Sequence, residues 1–479
     1  MISKQLFIIA VLLIFISGSA IRVAPTIVYD KPLKYDSYYH VRVAELLKET
    51  GNIPEVFPYP KTGRPHLYPP LYHVLLGFIS FAIGLSVIDS VRLLLPFMAS
   101  IIPIGVLWFA TKRYNYSTTA LLAMFFVSFS PFFLTSSFDS PELISIFISI
   151  FAINYFLQEK YMQASMLYGV SFLFSALSSI YTAIPLVILL LSEKNFKKIA
   201  ILLSIPAVTM AAWYLPRFEL LYAFDNSFGT IFVEKTIDFW TKFYTPFIVG
   251  SVISAFALFN LQMDRTRKLW IIWTLFFITV FLTHFVTPAF HPWRMPIYLN
   301  LGFAFLLSDT LTHNRHRLKS LFAIFFVLSF FLISMNVYES RILKPPLPNN
   351  EYDMISWIDK SIPNDKNVLS GYVFCSNLMT FSDNNCLLDT YFESIPNKTA
   401  WFDYENFFWN SNIQFTQRVF DNYDIDYIAF SSQDWGQELV NDFDSEKLYA
   451  TWECKLNCLR DASVYKLNKQ NGTVKYLGG

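Results

Sequence analysis

Charge is what this chain of 479 residues has least of. Asp, Glu, Lys and Arg together make up 15% of it, where a soluble chain carries about a quarter. That shortage, beside 54% hydrophobic and 18% aromatic residues, excludes an ordinary soluble fold. It indicates a polytopic membrane protein with a soluble portion. Net charge is nearly absent too, at +1, so composition gives no sign of a nucleic-acid partner. Low-complexity tracts and convincing internal repeats are lacking. Cysteine is confined to the C-terminal part, as Cys375, Cys386, Cys454 and Cys458. Two pairs at short spacing suit disulfides in an oxidising compartment. Four buried thiols are the plain alternative. Zinc is a third, although neither pair has CxxC spacing.

Long apolar runs are what the chain does have. They occur near 6–22, 92–110, 118–137, 141–158, 162–177, 179–192, 199–216, 244–262, 268–286, 294–309 and 319–337. A further run, 71–88, tests the topology. If it does not cross, the loops holding Lys112/Arg113, Lys160, Lys194/Lys197/Lys198, Arg265/Arg267/Lys268 and Arg315/Arg317/Lys319 all fall inside with Lys4. If it crosses, every one of them falls outside. The positive-inside rule selects the first arrangement. About eleven spans are therefore expected, with 71–88 lying along the outer surface or dipping partway in. The first run reads as an uncleaved anchor, with a cleaved signal peptide ending near "SGSA" (17–20) as the alternative.

Three parts follow. Residues 1–340 form a membrane domain, with surface helices in an external loop over 24–91. The proline-rich stretch within 341–350 is a linker. Residues 351–479 form an extracytoplasmic soluble α/β domain, in which 418–432 reads as a helix followed by a strand. The inner loops are short and merely cationic, so any chemistry belongs to the outer face of the cytoplasmic membrane.

The outer segments carry the candidate residues. In "YDSYYHVRVAELLKETGNIP" (35–54), residues 37–50 read as a helix with Asp36 at its N-cap and Gly51 as its stop. His40 stands one turn on, and Glu45 can pair with Arg42 or Lys48. Capping alone would account for Asp36, and a solvated face for the ion pairs. In "SSFDSPE" (136–142), Asp139 and Glu142 sit in a short turn between two apolar helices. Asp139 or Ser140 fits an N-cap there, with Pro141 in the first turn. Ionisable groups at membrane depth nonetheless point to function. Glu234 and Asp238 lie in a long outer segment and fit a wet loop as well. Arg294 opens a span, where a cation also snorkels to the interface. Carboxylates gathered from distant positions suit a hard divalent ion such as Mg or Mn. A metal and an Arg neutralise a departing phosphate, while one carboxylate alone can act as general base.

The stretch "YDSYYHVRVAELLKETGNIPEVFPYPKTGRPHLYPPLYH" (35–73) resembles the first external loop of the oligosaccharyltransferase catalytic subunit family, its archaeal branch above all. That family belongs to the GT-C class of membrane glycosyltransferases. "TSSFDSPELISIF" (135–147) looks like its second acidic motif. "TIFVE" (230–234) loosely resembles its Thr-Ile-x-Glu motif, and "WRMPIYLNLGFAFLL" (293–307) its Arg-bearing segment. The resemblance implies that Asp36 binds metal or faces the acceptor and that Asp139 fills the first acidic position of the second motif. It further places Glu234 beside the acceptor and Arg294 beside the carrier phosphate. Two departures stand out. Pro141 takes the place of the family's second Asp, with Glu142 next. The Trp-Trp-Asp-Tyr-Gly motif is absent, and "WFDYENF" (401–407) lies too late and lacks the Gly.

The expected activity is transfer of a glycan from a polyprenyl-(pyro)phosphate carrier to an acceptor on the outer face. The catalytic set is Asp36, Asp139 and Glu234. His40, Arg42 and Arg294 are expected at the substrate, and Asp36, Asp139 and Glu142 at the metal. The partners are a polyprenyl-linked sugar donor, membrane lipids and a protein, lipid or glycan acceptor. The nearest rival is a GT-C enzyme that transfers single sugars, with Asp36 as general base. A transporter or flippase ranks lower, because the spans hold few ionisable groups. A catalytically inactive homologue is the third. The sequons at Asn397 and Asn471 carry little weight.

Overall fold

The computed structural model describes residues 3–34, 36–59, 63–114, 117–138, 141–221, 263–282, 294–313, 331–332, 335, 347–388, 399–400, 403–404, 407, 413–430, 445–451, 462–470 and 473–474. Asp139, Glu234, Asp238, Cys454, Cys458 and both sequon asparagines lie outside the described residues. So do the expected span 244–262 and nearly all of 319–337.

Most of the described chain before residue 314 is helical. The helices are α1 (Lys4–Val28), α2 (Asp36–Thr50), α3 (Leu71–Ile83), α4 (Val87–Arg113), α5 (Ser117–Ser128), α6 (Pro131–Ser136), α7 (Glu142–Leu157), α8 (Tyr161–Phe174), α9 (Ala176–Ser192), α10 (Phe196–Tyr214), α11 (Arg265–Leu282) and α12 (Met295–His313). Among the described residues, three helices are long and apolar enough to cross a membrane: Lys4–Val28, Val87–Arg113 and Phe196–Arg217. The others are shorter, and two differ from the expectation for identifiable reasons.

The run 118–137 is one stretch in hydropathy but two helices in the structure. Pro131 has no N–H to continue α5, and Ser130 Oγ instead accepts the amide of Phe133 at 3.5 Å, starting α6 afresh. The run 71–88 breaks at Gly84, whose φ of 74° ends α3. Ser86 then caps α4, accepting from the amide of Asp89. With 13 residues, α3 is about 20 Å long, short of a hydrocarbon core of about 30 Å.

Helices α4, α5, α7, α8, α9, α11 and α12 share one core, in which Phe109, Trp270, Trp273, Phe305 and Tyr298 are almost fully buried. Close approach matters at one point. A Cβ on Gly302 of α12 would stand 2.6 Å from Thr274 Oγ1 and 2.8 Å from Trp273 of α11, so this contact needs glycine.

The two ends of the bundle differ in chemistry. At one end the turns after α7 and α9 meet the start of α11. Arg265 grips both carboxylate oxygens of Glu193 at 2.9 Å and reaches Glu159 at 3.4 Å, while Arg113 donates to Asn154 Oδ1 at 3.0 Å. The cationic loops Lys112/Arg113, Lys194–Lys198 and Arg265–Lys268 thus share one end. The opposite end holds α2, the start of α7 and the start of α12.

A five-stranded sheet lies in the C-terminal part, with β1 (Val56–Phe57) and β2 (Arg64–Pro65) forming a small ribbon in the first loop. The sheet comprises β3 (Asn367–Leu369), β4 (Asn385–Cys386), β5 (Tyr427–Phe430), β6 (Ser445–Thr451) and β7 (Ala462–Leu467), in the order β4-β3-β5-β7-β6. β3 runs parallel to β4 and β5, and the remaining pairs are antiparallel. The period-2 alternation assigns its two faces. Val368, Ala429 and Val464 pack with α13 (Asn349–Ser361) and α14 (Tyr372–Phe381). Leu369, Ile428, Phe430 and Tyr465 pack with α15 (Ile413–Asn422). A disulfide joins Cys375 to Cys386.

Candidate active site at the α2, α7 and α12 ends

Asp36 is the first residue of α2 rather than the residue before it. Its carboxylate still faces favourable helix-dipole charge in the first turn. The next residue ties it to the second acidic segment: Ser37 Oγ donates to the carbonyl of Phe138 at 2.7 Å. Arg22 of α1 holds the same segment, donating to Ser137 Oγ at 3.0 Å and to the carbonyl of Gly18 at 2.9 Å. The chain neighbours of Asp36 and of Asp139 are therefore bonded across 101 residues.

Glu142 is the first residue of α7, and Arg294 immediately precedes α12. Arg294 Nη1 donates to Glu142 Oε1 at 2.7 Å. The side chains are 24% and 6% exposed, so the pair is largely desolvated and its partners depend on each other. Tyr68, from the proline-rich end of the first loop, completes the group. Its hydroxyl interacts with Arg294 and feels the charges of Glu142 and Asp36. Burial pushes its pKa up to about 12, so it stays a neutral phenol at physiological pH. Asp36 also lies in the electrostatic field of Arg294. The structure thus brings Asp36, Glu142 and Arg294 to one place, from three elements.

Behind them lies a packed cluster of aromatic rings. His40 Nδ1 and His73 Nε2 are 3.0 Å apart, and the His40 ring meets Tyr68 edge-on at 4.9 Å between centroids. Burial lowers the pKa of His73 to about 3, so His73 is a neutral imidazole where it meets His40. Tyr39 bonds His66 Nδ1. Trp213 Nε1 donates to the carbonyl of Leu67 at 3.2 Å, which fixes the backbone next to Tyr68. His40 is 1% exposed, which places it in this support.

Arg42 is drawn the other way. Its guanidinium bonds Asp383 and Tyr59 and reaches Glu45 at 3.5 Å. The C-terminal part docks through the same patch. Thr380 Oγ1 donates to the carbonyl of Tyr38 at 3.1 Å, the amide of Cys386 donates to the carbonyl of Tyr59 at 3.1 Å, and the Tyr38 and Tyr352 hydroxyls are 2.6 Å apart.

A divalent cation does not fit the described carboxylates alone. Among the described residues, no three His, Cys, Asp or Glu side chains gather to hold one. Asp36 and Glu142 are the acids at hand, and a guanidinium already neutralises Glu142.

Tyr68, Arg22 and Ser37 are the residues that sequence reasoning missed. Arg22 had a signal, as an arginine within an apolar run. Tyr68 had none beyond its place in the first loop.

No family model and no curated protein matches this sequence. Solved structures do. The oligosaccharyltransferase AglB from Archaeoglobus fulgidus, in complex with an inhibitory peptide and a dolichol-phosphate, superposes with TM-score 0.62 at 12% identity, over 88% of this chain and 69% of that chain. The arabinofuranosyltransferase AftD from Mycobacteria gives 0.60 at 12% identity, over 98% of this chain and 40% of that one. ArnT from Cupriavidus metallidurans gives 0.53 at 11% identity, over 96% and 97%. At such identities the likeness is one of fold. The chain has the fold of the GT-C membrane glycosyltransferases, and the resemblance read from its first loop holds at that level.

Proposed function

We propose that this chain is a membrane glycosyltransferase that moves a glycan from a polyprenyl-(pyro)phosphate carrier to an acceptor on the outer face of the cytoplasmic membrane. Fold alone does not imply activity. The observation that carries the reading is the convergence of Asp36, Glu142, Arg294 and Tyr68 at one end of the bundle; of these, Asp36 and Arg294 are positions to which the family resemblance gives a role. The acceptor's nucleophilic atom forms a bond to the anomeric carbon as the bond from that carbon to the carrier phosphate breaks. The electron pair leaves with the phosphate, where Arg294 stabilises the charge and Tyr68 offers a hydroxyl. The acceptor's proton passes to a carboxylate, for which Asp36 is the candidate. Asp139 and Glu234 belong to this reading as the second acidic position and the acceptor-side acid, and Asp139 with Asp36 as the ligands of a divalent ion.

Two features support the expected membrane placement. The cationic loops share the end opposite the site, as the positive-inside rule requires. The Cys375–Cys386 disulfide sits in the part that docks on α2, which suits an oxidising exterior.

The test is mass spectrometry of membrane glycans and glycoproteins with and without the gene. Loss of intact glycan from protein, with the carrier-bound glycan accumulating, is the expected result. An unchanged profile sinks the reading. A second reading is favoured by ArnT, almost all of whose length this chain also spans. It is transfer of a single sugar to a lipid, glycan or Ser/Thr acceptor. A truncated lipid-linked glycan in the same experiment, or full activity in EDTA, selects it.

A further inference from the structure

We propose that Glu142 is the counter-ion that orients Arg294, with Tyr68 as its second holder, and is not a metal ligand. The inference deepens the proposed function and rests on it. Three observations carry it. Glu142 meets Arg294 at 2.7 Å, and at 6% side-chain exposure its carboxylate depends on that partner, because an unpaired buried charge is not tolerated. The two residues are the first of α7 and the residue before α12, so the guanidinium is fixed by two helix ends rather than by a loop. Tyr68 reaches Arg294 from a third element and is itself wedged edge-on against His40. A near-neutral ion pair supplies little net negative charge to a cation. It does present an aimed N–H donor to a phosphate, which suits a receptor for the departing carrier headgroup.

The test uses the full chain in detergent and two probes, inorganic pyrophosphate by calorimetry and Mn²⁺ by electron paramagnetic resonance. Arg294→Gln is expected to abolish pyrophosphate binding. Tyr68→Phe, which leaves the ion pair intact, is expected to weaken it about tenfold, the worth of one hydrogen bond to a charged group. Glu142→Gln is expected to bind pyrophosphate no more weakly than wild type, because a negative charge is removed, and to bind Mn²⁺ as wild type does. In turnover it should lower kcat by about tenfold or more without raising the donor KM, the signature of a misaimed donor. Loss of Mn²⁺ binding in Glu142→Gln overturns the proposal, as does wild-type kcat in that variant or wild-type pyrophosphate affinity in Tyr68→Phe. If the wild type transfers nothing from any polyprenyl-linked sugar, the proposed function fails. The Mn²⁺ series still decides whether Glu142 is a metal ligand, and the pyrophosphate series whether Tyr68 and Arg294 act together.

Discussion

Two buried arginine–carboxylate pairs flank the same helix, and their geometry differs in a way that separates support from chemistry. At the C-terminal end of α12, Arg267 of α11 grips Asp309 through two nitrogens, Nε to Oδ2 at 2.6 Å and Nη2 to Oδ1 at 3.4 Å. The two side chains are 12% and 2% exposed. At the N-terminal end, Arg294 meets Glu142 through one nitrogen at 2.7 Å and is the more open of the two arginines, at 24%. A fork closed on both oxygens is complete in itself. A guanidinium held by one nitrogen beside a phenol and a second carboxylate is oriented but has capacity left for an incoming anion. Chain placement agrees: the closed pair sits among the cationic loops and the open pair beside Asp36.

This contrast can be broken by mutation, and the largest effects belong to the open end. Asp36→Ala is expected to abolish glycan transfer in membranes while the protein still accumulates. Wild-type transfer by that variant would remove Asp36 from the site. Arg294→Ala should lower transfer by about 10²–10³-fold, the usual cost of one donor to a developing anion. Arg267→Met should act on stability alone. It takes the guanidinium away from the buried Asp309 carboxylate, at a cost of about 3–5 kcal/mol, and the protein that remains folded should turn over at the wild-type rate. Thermal unfolding in detergent, set beside specific activity, separates the two outcomes. Equal activity losses in Arg294→Ala and Arg267→Met would erase the distinction.

Residue type and order carried part of this into the sequence. Asp36, Glu142 and Arg294 were legible because ionisable groups at membrane depth are rare. Loop charges set 71–88 apart as a run expected not to cross, and its helix ends at Gly84 after 13 residues. The partners were not. Arg42 reads as a neighbour of Asp36 on one helix, whereas its bond to Asp383 spans 341 residues, beyond any local period. Tyr68 is an aromatic in a proline-rich loop, and nothing local says that Arg294 stands in front of it. The division of 118–137 into α5 and α6 was hidden for another reason. Hydropathy counts Pro131 as tolerable, while the missing N–H decides the backbone.

A smaller effect is expected where the C-terminal part meets α2, and it tests whether the site end is braced from outside. The Cys375–Cys386 disulfide closes a short loop, with a sequence separation of 11. That loop supplies most of the docking face: Thr380 on the Tyr38 carbonyl, Asp383 on Arg42, Phe381 edge-on to Tyr38 at 5.7 Å, and the amide of Cys386 on Tyr59. Asp383 is 54% exposed, so its ion pair alone is worth no more than about 1 kcal/mol. The crosslink matters more, at about 2–3 kcal/mol for a loop of this length. Replacing both cysteines by serine should therefore lower stability by that amount. Transfer should fall only a few-fold, because Ser37 and the Phe138 carbonyl still hold the start of α2. A loss as large as that of Arg294→Ala would mean instead that the disulfide loop sets the position of Asp36, and that the brace belongs to the site.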